Sequence, residues 1–130
     1  MELPTDALRE KIAELVAIDG ARQAAIPATG LSYFSTDDKQ VGARQEFGGH
    51  AQTIAGVLGS LNDAELTFVA ALAMYGNPHG SLEGNAKFTD ALAEAGELVS
   101  KKARDQIISN LAPKQFSAYL PAGLKRAKLD

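Results

Sequence analysis

Two histidines, His50 and His79, are the only imidazoles in this 130-residue chain, and there is no cysteine. Both stand beside glycine, in Gly48-Gly49-His50 and His79-Gly80, within stretches that read as loops. Together with Glu46, Asp37, Asp38 or Glu83 they have the composition of a two-histidine, carboxylate metal site or of a small acid–base centre. The spacing does not assemble one: neither histidine has a ligand three or four residues away on a helix. The plainer reading leaves both as exposed loop histidines, with no metal and no cofactor expected. Serine nucleophiles are equally unsupported, because no Gly-x-Ser-x-Gly elbow surrounds any serine and the strands of an α/β-hydrolase are missing from the pattern. Without cysteine, disulfides, thiolate catalysis and iron–sulfur or Cys-ligated zinc sites are excluded.

Gly48-Gly49 ahead of a helix start suggests a backbone cradle for an anion. It lacks the Lys-Ser/Thr of a P-loop and the spaced glycines of a dinucleotide fingerprint, so it reads as a hinge and helix start. Charge offers a second chemistry. The formal net charge is -3, but six of the 13 basic and 14 of the 16 acidic residues lie in positions 1–100. The last thirty residues hold Lys101, Lys102, Arg104, Lys114, Lys125, Arg126 and Lys128 against Asp105 and Asp130. A basic tail with Phe116 and Tyr119 between its clusters is one arrangement for holding a nucleic acid by phosphate contacts and stacking. The competing reading is a solvated face whose cations complement helix C-termini, with Phe116 and Tyr119 in the core.

Stepping from these residues to the elements that must carry them, hydrophobic periodicity predicts helices and no useful strand. Leu8, Ile12, Leu15 and Val16 form one stripe of a helix over about 5–17, with Asp19-Gly20 as its stop. Periodicity then lapses from Gly20 to Gly49, a long loop punctuated by Ile26-Pro27, Thr29-Gly30 and Gly48-Gly49, with room for helix to continue briefly through Arg22 to Ala25. It returns with Ile54, Val57, Leu58 and Leu61. Asn62-Asp63-Ala64-Glu65 has the form of a capping box, flanked by Leu61 and Leu66 as staple residues. The helix behind it, Leu66 to Tyr75, is apolar or small all round and should be central, with Gly76 as a left-handed terminator before Pro78. After a loop at 77–85, Phe88, Ala91, Leu92, Ala95, Leu98 and Val99 define a helix over about 86–100. A further helix from about Ser100 carries Ala103, Ile107, Ile108 and Leu111. A short last one carries Phe116, Tyr119 and Leu120 until Pro121 and Gly123 end it, and residues 125–130 are expected to fray.

The expected architecture is therefore an all-α, single-domain bundle of five or six helices. The longest apolar run, Phe68 to Tyr75, is far short of the roughly 20 residues that span a bilayer, and the first residues have neither the charge nor the apolar stretch of a secretory leader. A cytoplasmic location is the expectation.

Leu61-Asn62-Asp63-Ala64-Glu65-Leu66, continued by Val69 to Gly76, resembles an uncharacterised proteobacterial family of small helical proteins known only as a domain of unknown function. Phe88-Thr89-Asp90-Ala91-Leu92-Ala93-Glu94-Ala95, Ile107-Ile108, Pro113, Tyr119-Leu120 and Gly123-Leu124 extend the resemblance over about residues 54–124. Where that family turns through a Gly-Arg-Gly-Asp-like sequence, this chain has Gly76-Asn77-Pro78-His79 and a longer loop. The resemblance implies a bacterial helical bundle and brings no activity or cofactor. The function expected from the sequence is a non-enzymatic interaction or regulatory module that binds a protein partner or itself. Its contact candidates are His50, His79, Lys101, Lys102, Arg104, Lys125, Arg126 and Lys128. Nucleic-acid binding through the basic tail and a small enzyme or metal site at the histidines are the alternatives.

Overall fold

The computed structural model describes residues 4–25, 38–77 and 86–129, and within them places six helices. These are α1 (Asp6–Ala24), α2 (Asp38–Gly59), α3 (Asp63–Gly76), α4 (Phe88–Lys101), α5 (Arg104–Leu111) and α6 (Phe116–Arg126). The all-α bundle expected from periodicity is the fold observed. Helix α3 is its centre, buried from Leu66 through Tyr75 on nearly every side and packed between α6 and α4. α1 lies on α6 and α2, and α5 touches α2 and α4.

Local chemistry explains most starts. Thr5 accepts from the Leu8 N–H at 3.1 Å and opens α1. Asn62 accepts from the Glu65 N–H at 2.8 Å while Glu65 accepts from the Asn62 N–H at 3.0 Å, a complete capping box for α3. At α4 only half of such a box exists, with Asp90 accepting from the Lys87 N–H at 2.9 Å. Phe88 then packs edge-on to Phe68, with ring centroids 5.4 Å apart, and against Tyr75 at 5.6 Å. The Tyr75 hydroxyl donates to the Ala86 carbonyl at 2.9 Å, so the approach to α4 is pinned to α3.

Several expected boundaries move. Asp19-Gly20 does not stop α1, which runs to Ala24 because Asp19 and Arg22 are buried and bonded to another part of the chain. Of the expected 20–49 loop, residues 20–24 and 38–49 are helical; residues 26–37 lie outside the described region. Gly48-Gly49 is therefore neither hinge nor helix start, but the middle of α2. A side chain built at Gly42, Gly48 or Gly49 would meet nothing within 4 Å among the described residues, so these glycines weaken the helix without a neighbour there that requires them. The next helix begins at Arg104, not near Ser100.

Two terminators prove to be packing devices. Gly76 has no left-handed backbone; a Cβ there would overlap the Tyr119 carbonyl oxygen and stand 2.6 Å from the Gly123 nitrogen. Gly123 in turn lies against the Leu72 carbonyl. Glycine is needed at both positions because α3 and α6 cross backbone to backbone. α6 consequently continues through Pro121, whose exposed ring leaves the helix without one donor while Leu120 and Gly123 on the other side are buried against α3. Within the segment 125–130 expected to fray, α6 runs to Arg126 and Leu129 is tied down, by its N–H to Leu124 O at 2.8 Å and by Arg9 to its carbonyl at 2.8 Å; Asp130 lies outside the described residues.

Candidate functional site

Where α1 and α6 lie side by side, their facing surfaces enclose an open groove of about 520 Å3. Ile12, Ala13, Val16 and Ala17 of α1 and Pro121 and Leu124 of α6 line it; Arg9 and Lys125 stand at its edge. Its size falls in the range of roughly 300–1,000 Å3 found for ligand pockets. Among the described residues the lining is alkyl apart from these two cations, so the groove offers chiefly shape and positive charge.

The two walls are held in place at both ends. Near the C-terminus of α1, Asp19 and Arg22 are fully buried and paired at 2.5 Å. The Asp19 Oδ1 accepts from Arg22 Nε at 2.8 Å and from Gln23 Nε2 at 3.2 Å, while Oδ2 accepts from the Ser117 N–H at 2.8 Å and the Ser117 hydroxyl at 2.7 Å. Gln115, the residue before α6, supplies no side-chain cap, so Asp19 caps α6 from a different helix. Arg22 reaches past it and donates to the carbonyls of Ala112 and Lys114, both at 2.7 Å, in the turn between α5 and α6. At the other end Arg9 bonds the Leu129 carbonyl. The start of α1 thus meets the end of α6 and the end of α1 meets its start, making the walls antiparallel.

Burial is the largest influence on the Asp19 carboxyl and raises its pKa, but the hydrogen bonds from the Ser117 N–H and hydroxyl, Arg22 and Gln23 together outweigh it. The net effect holds the group below its ordinary value. A carboxyl depressed on folding contributes stability that is fully present above its unfolded value and is lost as pH falls through the folded one. Urea midpoints of the native chain and Asp19→Asn are therefore expected to lie far apart at about pH 6 and to draw together only as the pH falls below the ordinary carboxylate range. A gap independent of pH would show that the carboxylate charge is not what the site holds.

The sequence-derived candidates separate in space. His50 is half-buried in the middle of α2 instead of in a loop; His79 lies outside the described residues. No group of three or more metal-ligating side chains occurs among the described residues. Of the basic tail, Arg104 donates to Asp63 at 2.7 Å and to the carbonyls of Leu58, Gly59 and Leu61, clasping the end of α2 to the start of α3. Arg126 lies 4.0 Å over the Tyr75 ring and donates to the Tyr75 carbonyl at 2.9 Å, covering the end of α3. Lys101 pairs with Glu97 at 2.9 Å on an exposed turn. Lys102 and Lys128 are exposed, and Lys125 belongs to the groove. Phe116 is fully buried, not a stacking platform.

Sequence reasoning missed Asp19 and Arg22, although a signal existed. Leu8, Ile12, Leu15, Asp19 and Arg22 follow one another at spacings of four, three, four and three, so the charged pair continues the apolar stripe. Charged residues in core register announce a buried pair.

Comparison with family models, curated proteins and solved structures yields no match to this chain. Among the described residues, no helix is long and apolar enough to cross a membrane.

Proposed function

We propose that the chain is a cytoplasmic, non-catalytic helical module that binds a protein partner through the groove between α1 and α6. The groove itself carries this reading: an open apolar concavity between helices clamped at both ends suits helix-in-groove recognition. The commitment of Arg104 and Arg126 to helix ends supports it over a nucleic-acid tail, because the two arginines that would grip phosphate are spent within the fold. Kinship with the proteobacterial family resembled by residues 54–124 is part of the proposal and adds fold without activity.

A photoreactive benzoylphenylalanine placed at Ala13 or Ala17, with Ser109 on exposed α5 as the control, tests the reading in native extract. The expected result is one cross-linked protein of discrete mass from positions 13 and 17, resistant to nuclease and absent from position 109. Equal labelling from all three positions, or nuclease-sensitive products alone, would overturn it.

A further inference from the structure

Resting on that reading of the groove, we infer that its occupant is a short amphipathic helix of a partner protein whose apolar stripe ends in carboxylates. Length comes first. Arg9 to Ala17 is eight residue steps along α1, about 12 Å at roughly 1.5 Å per residue, which is slightly more than two turns of an incoming helix. Such a helix presents apolar side chains at i, i+4 and i+7, which suit the floor of Ile12, Val16 and Leu124. The small Ala13 and Ala17 and the exposed Pro121 ring leave room for it to approach closely.

Charge comes second and sets direction. Because α1 and α6 are antiparallel, with Asp19 meeting Ser117 and Arg9 meeting Leu129, Lys125 faces the first half of α1. Both cations thus stand at the same end of the groove, one on each wall, and among the described residues they are the only charged ones that line it. Neither enters an ion pair among the described residues. Arg9 uses one guanidinium N–H on the Leu129 carbonyl, leaving most of its donor fork for a carboxylate. Its position is also costly for α1, since a cation near a helix N-terminus opposes the macrodipole. Helix stability does not explain Arg9; its bond to Leu129 uses one part of the donor fork, and an acidic partner uses the rest. An apolar stripe with Asp or Glu within a turn of one end matches both halves of the groove.

Selection of an unbiased displayed library of peptides of roughly four helical turns, on the full chain and on the Arg9→Glu/Lys125→Glu double variant, tests the assignment. Both positions are exposed, and urea midpoints verify that the variants fold. The native chain is expected to enrich peptides with apolar residues at i and i+4 and carboxylates near one end. A synthetic copy should bind the double variant about tenfold more weakly, the variant should select Lys or Arg at that end, and Ala13→Trp should block binding to either. Peptides that are blocked by Ala13→Trp but show no acidic excess would overturn the charge assignment and leave the docking groove standing. Enriched peptides indifferent to Ala13→Trp would overturn both. A concentration-dependent dimer abolished by Ala13→Trp would assign the groove to a second copy and also overturn the inference.

Discussion

Replacing Arg22 with alanine is expected to cost about 3–5 kcal/mol, the penalty typical of stripping one member from a buried ion pair. The side chain is fully buried, as is Asp19. Its removal leaves the Asp19 carboxylate with Ser117 and Gln23 but no counter-charge, strips the guanidinium donor from the Ala112 and Lys114 carbonyls, of which Lys114 keeps the Phe116 N–H, and opens a cavity. Against a typical total stability of roughly 5–15 kcal/mol, a loss of that size brings the chain close to unfolding at room temperature. The urea midpoint reads it directly. Arg22→Lys should recover only part, because a single ammonium cannot reproduce a planar fork that serves Asp19 and two carbonyls together. Replacing both partners, as Asp19→Leu with Arg22→Met, should recover more than Arg22→Lys, since no charge is then stranded; it still forfeits the cap on α6, about 1 kcal/mol. If Arg22→Ala cost under about 1 kcal/mol, the median scale of an exposed pair, the buried link between α1 and α6 would be refuted.

This link also explains which parts of the fold were legible beforehand. Helix α3 could be read almost to the residue, because its start is written in local chemistry, Asn62 and Glu65, and its burial in an all-round apolar composition. α1 and α2 both run past local stop signals, and for α1 the reason is a tertiary contact. Asp19-Gly20 has the grammar of a stop, yet Asp19 is spoken for by Ser117, 98 positions away. Gly48-Gly49 has the grammar of a hinge, yet α2 spans it, continuing to Ile54, Val57 and Leu58 in the core. The groove was illegible for a different reason. Ala13, Ala17, Pro121 and Leu124 have nothing in common along the chain; only the antiparallel placement of α6 on α1 makes them one surface. The basic tail shows the converse, a cluster in sequence that the fold disperses to two helix ends, one salt bridge and the groove rim.

The second large effect concerns glycine, and it turns on sign. In a helix, glycine to alanine ordinarily stabilises by up to about 1 kcal/mol. Gly48→Ala should show that gain, because a Cβ there meets nothing within 4 Å. Gly123→Ala should do the opposite. Its Cβ would overlap the Leu72 carbonyl oxygen and lie 3.0 Å from the carbonyl carbon, and these are backbone atoms of the most buried helix, unable to swing aside as a side chain would. α6 must move off α3, loosening Leu120 and Phe116 with it, so overpacking of about 3 kcal/mol prevails over the propensity gain. Gly76→Ala faces the same crossing from the other side, against the Tyr119 carbonyl and the Gly123 nitrogen. Because either substitution parts the same two backbones, the double variant should lose less than the sum of the singles, and a double-mutant cycle of urea midpoints measures the shortfall. Strict additivity would mean that the two glycines answer to separate contacts. Since α6 is also one wall of the groove, Gly123→Ala should weaken peptide binding there while Gly48→Ala leaves it unchanged, connecting the α3–α6 crossing to the shape of the docking surface.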